Sequence, residues 1–452
     1  MKTAVVLAPL ALGLATTADA STITVGADGT FSTIQLGIDA ALILGGAVVR
    51  VEAGSYDENL VLNMSSGAIT VSGGWDSTFT TQNHDPAVTS ISGGLTDRVL
   101  DATLTGGVFT IDDFLILGGE AADRGGGMRL VLSNSAVAQA VQCNYTFNIV
   151  QAPAANALGG AIYAELHDGS EFVLDTDKVV SNSVTVAGAS AIAYGGGVFV
   201  NASDTSQAFV LNSLIGQNVA AATDATSFAY AGGIDMSLAN SAKATFTNNH
   251  VTANSVQASG ANHSFFAGGF FSAGCDGTCR FVASQAIFDQ NSGSGAAQFS
   301  LGMGGPGSPS ASINDTLISR GTGNGAQVQM DAGTANLVNL TVADNAGEGL
   351  YLVPNSTITL YNTIAFGNGG DLSVQGTAQQ GNNLVGVDPH FVDASAGNFR
   401  LLGNSPARDV GDDTPPGGLP AQDLDGDARV FGAHVDIGAY EIGDEIFADG
   451  FQ

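Results

Sequence analysis

Three aspartates, Asp423, Asp425 and Asp427, alternate with other residues around a glycine. Alternate carboxylates in such a loop can converge on a hard cation, and Ca²⁺ takes about six to eight oxygen ligands. The sequence therefore predicts a calcium site here. The loop lacks the bidentate glutamate of an EF-hand, since Ala433 stands seven residues after the glycine. The alternative is a polar turn that is tied by Arg429.

Asp175 and Asp177 form a second carboxylate pair, with Lys178 beside them. In an extended strand, residues two apart point to the same side, and two carboxylates on one face are what a glycoside hydrolase needs. These three residues are therefore candidate catalytic groups. The alternative is a solvated strand end, because the equivalent positions 36 residues later hold Leu211 and Ser213.

An aromatic residue recurs every 36 residues at Tyr194, Tyr230 and Phe266. Such a column is either an exposed platform for neutral sugar rings or a buried aromatic stack. Both interpretations remain open, so the three residues are candidate binding residues.

The chain has three cysteines. Cys275 and Cys279 enclose a short polar loop that can close as a disulfide in an oxidising compartment, which leaves Cys143 unpaired. No histidine cluster lies near them to indicate zinc, and the scattered histidines have no Ser or Cys motif that suggests a catalytic triad.

The aromatic column and the two cysteines Cys275 and Cys279 lie in a repeat of 36 residues, from Tyr194 to Gly305, that is marked by paired glycines. A fixed period with glycines at the corners is typical of a solenoid, in which each coil buries its apolar face against the next. After residue 305 the repeat shortens to 23. The predicted corner pairs are Gly196–Gly197, Gly232–Gly233, Gly268–Gly269 and Gly304–Gly305.

Asparagines recur in the other half of the repeat. Asparagine tolerates left-handed backbone, and stacked asparagines in successive coils can bond to one another along the axis. We expect such a ladder at Asn218, Asn254, Asn291, Asn345 and Asn368.

Residues 34–42 have helical spacing of apolar side chains, with Ser32 as the expected N-cap. A short helix here would cover the open first coil. The segments DGTFSTIQLGIDAA, VVRVEAGSYDENLVL and ITVSGGWDSTF (28–41, 48–62 and 69–79) resemble the N-terminal coils of secreted bacterial proteins of the pectate-lyase-like superfamily. The glycine-pair repeats are similar to those of polymorphic outer-membrane and autotransporter-type proteins. This resemblance implies an all-β fold, a right-handed parallel β-helix with an N-terminal capping helix.

Residues 382–441 are richer in charge and proline. The segments NLVGVDPHFVDASAGNFRLLGNSPARDVG and DLDGDARVFGAHVDIGAYE resemble a choice-of-anchor domain, which implies export and surface attachment or release. We expect its apolar residues to cover the last coil. The acidic, aromatic tail 442–452 is a recognition tail or a frayed end. The apolar residues expected to cover the coil are Phe391, Phe399, Leu401 and Leu402.

Residues 1–20 have the pattern of a secretory signal peptide: Lys2, an apolar core over 4–15, and Ala18-Asp19-Ala20 as the cleavage site. The repeats then occupy residues 21–381, and the mature protein is expected to be secreted or on the cell surface. No later segment predicts a membrane span. Twelve basic against forty-two acidic residues give a net charge of −30, which repels nucleic acid and anionic membranes.

The sequence favours a structural, adhesive or glycan-binding protein whose partner is a polysaccharide or a cell-surface molecule. No cofactor is required, beyond the calcium ion proposed above. The competing class is a polysaccharide lyase or glycoside hydrolase. The cations of coils 130–370, among them Lys178 and Arg280, do not recur beside aspartates as the lyase resemblance would require. Carboxylates with Arg or Lys along one open groove would favour the enzyme.

Overall fold

The computed structural model describes residues 21–258, 265–293 and 296–443, and of Phe265 and Phe266 it describes the backbone. The predicted signal peptide and most of the tail lie outside these ranges. Within them the chain winds as a parallel β-helix, because each strand pairs in parallel with the strand one coil later. Parallel crossovers of this kind are right-handed. The predicted fold class is confirmed.

The back sheet contains two strands from most coils, joined by a tight corner. Its strands are Thr22–Val25, Gly46–Glu52, Gly54–Asp57, Ala68–Trp75, Thr89–Ser92, Val108–Asp112, Leu115–Leu117, Val137–Val141, Asn144–Thr146, Glu171–Asp175, Lys178–Val180, Gln207–Leu211, Leu214–Gly216, Lys243–Thr247, His250–Thr252, Arg280–Ser284, Ile287–Asp289, Ser310–Ser319, Thr334–Ala343, Thr357–Tyr361, Ile364–Phe366, Gln379–Gly381 and Leu384–Val385.

The front sheet lies on the other side of the coils. Its strands are Leu60–Met64, Leu100–Leu104, Met128–Leu132, Ala157–Leu158, Ile162–Leu166, Ile192–Tyr194, Val198–Ala202, Phe228–Ala231, Ile234–Leu238, Phe265–Ala273, Ala297–Met303, Ala326–Met330, Glu348–Pro354 and Gly370–Val374.

A short side sheet packs its alanines and valines against the segments that lead into the front sheet; we call those segments, 157–158, 192–194, 228–231 and 265–267, the arms. The strands of the side sheet are Glu120–Ala121, Ile149–Ala152, Ser183–Val186, Val219–Ala222 and Ser255–Ala258. Phe391–Asp393 and Asn398–Leu401 form an antiparallel pair, and short 3₁₀ turns span Pro86–Val88 and Ala394–Ala396.

The helix spans Ile34–Leu44 and packs its buried residues on the first coil. Its N-cap is Thr33, whose hydroxyl accepts from the Leu36 N–H, so the expected cap was placed one residue too early. Glu58 also accepts from the first N–H groups of the helix. Gly45 ends it in a left-handed conformation, which glycine adopts without steric cost.

The predicted asparagine ladder is confirmed and continues to earlier coils. In most rungs the backbone N–H and the side-chain Nδ2 of one asparagine donate to Oδ1 of the next, as Asn218 does to Asn254 at 3.0 Å. The last asparagine, Asn368, donates in the same way to Oδ1 of Asp371. Nδ2 also donates to a carbonyl of the preceding coil, Val179 for Asn218. Each rung therefore satisfies buried backbone groups at the corner. The rungs are Asn148, Asn182, Asn218, Asn254, Asn291, Asn345 and Asn368.

One coil has a glycine, Gly321, at the ladder position, and Gln298 fills the missing rung. Gln298 enters from the front-sheet corner, is fully buried, and accepts from the N–H and Nδ2 of Asn291. Its own Nε2 donates to Oδ1 of Asn345, 2.6 Å away. A Cβ on Gly321 would lie 2.5 Å from Cγ of Gln298, so the two residues exclude each other.

The paired glycines lie where the arms meet the front sheet, against the ladder. A Cβ on Gly233 would lie 2.6 Å from the Gly269 carbonyl oxygen and 3.0 Å from Nδ2 of Asn254. The corner therefore requires glycine because neighbouring atoms approach closely, without a left-handed backbone at Gly233. The predicted fourth pair is wrong: Gly304 and Gly305 follow a front-sheet strand, and Gln298 holds their expected place.

The segment after residue 386 lies on the outer flank of the back sheet. Phe399 packs with Leu317 and Ala343, and Leu401 packs with Ile364. These side chains thus cover the flank, where we expected them to cover the end of the last coil, and Leu402 stays exposed.

Polar contacts hold the same segment at the corners of the back sheet. Arg429 is buried and ion-paired with Asp315 at 2.9 Å and Glu441 at 2.7 Å. The Asn339 and Asn362 side chains bond to the backbone of the segment. Corner side chains that face solvent in earlier coils here bind the C-terminal segment.

We expect Gly233→Val to lower the melting temperature and the secreted yield, because the new Cβ would overlap backbone and amide atoms. Overpacking of this kind costs about 1–3 kcal/mol or more. Gly302→Val is the matched control, since the nearest atom to its added Cβ is 4.0 Å away. Equal melting of both variants and the wild type would refute the steric explanation.

We expect Gln298→Gly to destabilise the protein, since buried groups left without partners cost about 1–3 kcal/mol each. Gly321→Asn alone is also expected to destabilise it, by collision with Gln298. The double variant restores an amide at the ladder position, so its melting temperature should exceed that of either single variant. Additive losses in this double-mutant cycle would contradict the exchange.

Candidate functional site

In the described coils, the outer face of the front sheet carries carboxylates, arginines and aromatic rings side by side. Alternate residues of each strand point outward, and parallel register stacks them into columns along the axis. One column runs from Val61 through Asp101 and Arg129, and a second, two residues on, includes Glu165 and Gly302. The first column continues through Tyr163, Phe199, Asp235, Phe271, Ser300, Gln327 and Tyr351.

Three arginines and three carboxylates meet at the N-terminal end of this face, and we call them the charged cluster: Arg98, Arg124, Arg129, Asp101, Asp123 and Glu165. Asp101 bridges Arg98 and Arg129, each at 2.7 Å. Arg98 also pairs with Asp123 at 2.7 Å, and Asp123 pairs with Arg124 at 3.4 Å. Carboxylates with arginines on one open face are the arrangement that favours an enzyme over a purely structural protein.

Glu165 joins the charged cluster to the aromatic residues. It accepts a hydrogen bond from the Tyr163 hydroxyl at 2.8 Å, and its other oxygen lies 3.2 Å from Nε2 of His167. Burial disfavours its ionisation, but these hydrogen bonds outweigh burial and lower the pKa of Glu165. Burial, with the bond to Glu165, raises the pKa of Tyr163 to about 12. Glu165 is therefore an ionised carboxylate at neutral pH.

A continuous row of aromatic rings follows the charged cluster along the axis. The Tyr163 and Phe199 rings stack at 5.6 Å, and Tyr194 on an arm meets the edge of Phe199 at 5.7 Å. Tyr230 on the next arm lies 5.0 Å from Tyr194 and 5.3 Å from Phe271. The arms thus stand as a wall beside the front sheet, and we call the strip of the sheet's outer face along this wall the groove. Tyr163, Phe199 and Phe271 are packed into it and are 3%, 7% and 7% exposed.

The predicted aromatic column is partly present in this row. Tyr194 and Tyr230 are half-buried, so they are both packed rings and accessible surface. The side chain of Phe266 lies outside the described residues. Phe271, which sequence reasoning did not select, contacts Tyr230 instead.

Asp235 occupies the floor between Phe199 and Phe271. It points outward from its strand, yet only 3% of it is exposed, and its Oδ2 has no hydrogen-bond partner among the described residues. Burial raises its pKa well above the ordinary value. Burial thus favours the protonated form of Asp235 beneath the aromatic row. The pKa values of the neighbouring Tyr194 and Tyr230 are raised chiefly by burial, and further by the charge that Asp235 carries when it ionises.

Asp175, Asp177 and Lys178 do not form a catalytic pair. Thr176 has a φ of +63°, which ends the strand at Asp175 and turns the chain inward. Asp177 is buried, and its Oδ1 accepts from the Cys143 N–H at 2.6 Å, while Asp175 binds Asn212 at the surface. The expectation that both carboxylates share one strand face is wrong, because a corner separates them. Lys178 is exposed on the next strand.

The three carboxylates of the 423–427 loop do not converge on a common point. Asp423 is buried and accepts from the N–H groups of Asp425, Asp427 and Glu441. Asp425 turns outward to Arg400, and Asp427 is exposed. The loop forms a polar turn that Arg400 ties in place of Arg429. Calcium binding by this loop stays a prediction. Across the ranges that the structure describes, no three His, Cys, Asp or Glu side chains are arranged to hold a metal ion.

Cys275 and Cys279 form the predicted disulfide, with their Cα atoms 6.1 Å apart. Cys143 is a thiol buried among the coils, where burial raises its pKa. None of the helices in the described ranges has the length and apolar character that a membrane crossing requires.

No family model and no curated protein matches this chain. A solved structure described as the crystal structure of pectate lyase Pel9A matches with a TM-score of 0.47 and 14% identity, over 89% of this chain and 90% of that chain. With so low a score the likeness adds nothing to the strand pairing, which by itself establishes the parallel β-helix.

We expect Asp235→Asn to raise the melting temperature at pH 7 to 8 and to leave it nearly unchanged at pH 4. A carboxyl whose folded pKa is raised binds more protons in the folded than in the unfolded chain, so stability falls as pH rises above the unfolded pKa. The isosteric amide removes that dependence. The gain at pH 7 should be of order 1 kcal/mol or more. Melting curves of both proteins that stay parallel from pH 4 to 8 would contradict a neutral Asp235.

Proposed function

We propose that this protein binds a polysaccharide along the outer face of the front sheet. The observation that carries the proposal is the continuity of the aromatic row with the charged cluster on a single face. Sugar rings present apolar C–H faces that pack on aromatic rings, and hydroxyl edges that hydrogen-bond to carboxylates and guanidinium groups. The face offers both kinds of partner in one line.

Tyr194 and Tyr230 are the residues that we expect to contact sugar rings. They belong to successive arms, and each remains half-exposed after packing on the floor of the groove. Successive coils are about 4.8 Å apart. A polysaccharide that runs along the axis would therefore contact one coil of the protein after another. Because neighbouring rings and the side sheet hold the arms, little side-chain entropy would be lost on binding.

A second candidate function is hydrolysis of the bound glycan. Glycosidases use one protonated and one ionised carboxyl group, whose pKa values are set by their surroundings. On this face the pKa of Glu165 is lowered and that of Asp235 is raised. They stand two coils apart and are offset by two residues along the strand, so their Cα atoms are about 12 Å apart by strand geometry. Asp235 would reach substrate only after Tyr194 and Tyr230 move.

Export to the cell exterior is part of this proposal. It is supported by the signal-peptide pattern of residues 1–20 and by the Cys275–Cys279 disulfide, since disulfides persist in oxidising compartments. Attachment to the cell surface through the segment 382–441 remains a proposal that rests on its resemblance to choice-of-anchor domains.

The test is binding of the purified mature protein to a panel of neutral and acidic polysaccharides, with assay of new reducing ends. We expect the Tyr194→Ala, Tyr230→Ala double variant to lose at least tenfold in affinity. Phe147→Ala is the matched control, because Phe147 is 63% exposed and lies in the back sheet's corner region away from the groove. Binding that survives the double variant, or falls equally in the control, would rule out the groove.

New reducing ends without new unsaturated sugar ends, lost in Glu165→Gln while binding is retained, would establish the hydrolase. Binding without new reducing ends would leave the glycan-binding function alone.

A further inference from the structure

Beyond Phe271 the groove deepens into a hollow of about 350 Å³. Its floor is made of small residues, Ala273, Ser300 and Gly302, on two consecutive strands. The preceding coils hold Asn201 and Ser237 in the column of Ala273 and Gly302, and the following coil holds Gln329. The hollow therefore arises because in two successive coils this column holds only the methyl group of Ala273 and the hydrogen of Gly302.

The lining of the hollow is aromatic at one end and amide-rich at the other. Phe271, the last ring of the aromatic row, forms the first end, and Gln327, Gln329 and Asp331 form the second. Gln329 donates to both carboxylate oxygens of Asp331, at 3.1 and 3.0 Å. Asn355 donates to Oδ1 of Asp331 at 2.7 Å. The polar end is therefore held in place by hydrogen bonds before any ligand arrives.

No lysine or arginine lines the hollow, and its charged group is the Asp331 carboxylate. An anionic sugar placed here would meet a like charge on a protein whose net charge is −30. A neutral sugar has hydroxyl groups that donate to carboxylate and amide oxygens and accept from amide N–H groups. The volume lies at the lower end of the range for small-ligand sites, about 300–1,000 Å³.

From this lining we infer that the hollow bounded by Phe271, Gly302 and Asp331 is a subsite for uncharged sugar residues, so that the polysaccharide bound in the groove is a neutral one. This inference rests on the proposed function and specifies its substrate class. The charged cluster at the other end has its arginines paired with carboxylates, so it offers hydrogen bonds with little net positive charge.

Gly302 permits a test that fills the hollow and spares the fold. The backbone of Gly302 is not left-handed, and the nearest atom to an added Cβ is the Ser272 carbonyl oxygen at 4.0 Å. We expect Gly302→Phe to keep or raise the melting temperature, since phenylalanine favours strands more than glycine does. Its affinity for a neutral glucan or mannan should fall at least tenfold. Asn63→Phe is the matched control, because Asn63 stands in the same outward column several coils away.

A second variant tests the charge argument. Gln327→Lys places a cation on the lining, so we expect its affinity for polygalacturonate to rise at least fivefold over the wild type, and more so at low salt. If Gln327→Lys binds polygalacturonate no more tightly than the wild type does, the argument that the lining excludes anionic sugars by its charge is overturned.

The outcomes separate this inference from the proposed function. Neutral glycan that binds Gly302→Phe as tightly as wild type, while the Tyr194→Ala, Tyr230→Ala variant loses it, would overturn the subsite and keep the groove. If the wild-type protein binds acidic glycans and no neutral ones, the neutral-sugar subsite is likewise overturned and the groove is kept. Wild-type protein that binds no polysaccharide of either class would overturn both.

Discussion

The structure depends on the buried hydrogen bonds at the corner between the back sheet and the front sheet. Every coil brings backbone N–H and C=O groups to this corner, where water cannot reach them. The asparagine ladder satisfies them, as Asn218 does between Val179 and Asn254. Because the amide must lie against the next corner, no Cβ fits at Gly233. The arms meet the front sheet at these glycines, so the wall of the groove is positioned by the ladder.

Gln298 shows that each corner requires a side-chain amide at the ladder position, and that a residue from another part of the coil can supply it. The coil that lacks an asparagine receives a glutamine side chain from the opposite side of the corner, and the glycine expected there is absent. The same logic applies to Asp177, which accepts from the Cys143 N–H as the asparagine of a later coil, Asn249, accepts from Ser213. A carboxyl that resembles a catalytic group in sequence is thus a corner acceptor in the fold.

Polar groups outside the coils follow a different rule, since they face solvent and must find partners along the axis. On the front face Asp101 pairs with Arg129, and Arg98 with Asp123, across coils, and further along the axis the aromatic rings pack on one another. On the back flank the corner side chains bind the C-terminal segment, with Arg429 buried between Asp315 and Glu441. A buried ion pair is costly to break once formed, so this segment is expected to stay on the flank. The groove on the front face thus remains open.

The amino-acid sequence by itself determined the solenoid, its asparagine ladder and the N-terminal helix, because each depends on a local pattern or a constant period. It offered the Cys275–Cys279 disulfide as a possibility, which the tertiary structure decided. The charged cluster depended on the tertiary structure, since Arg98, Arg129 and Glu165 come from different coils at no regular spacing. The fate of Asp177 was likewise decided by one left-handed residue, Thr176, which turned its side chain inward. The repeat period of the sequence specifies which strands stack on one another. The contacts between side chains depend on the register of those strands and on the conformation of the corners, and the function depends on those contacts.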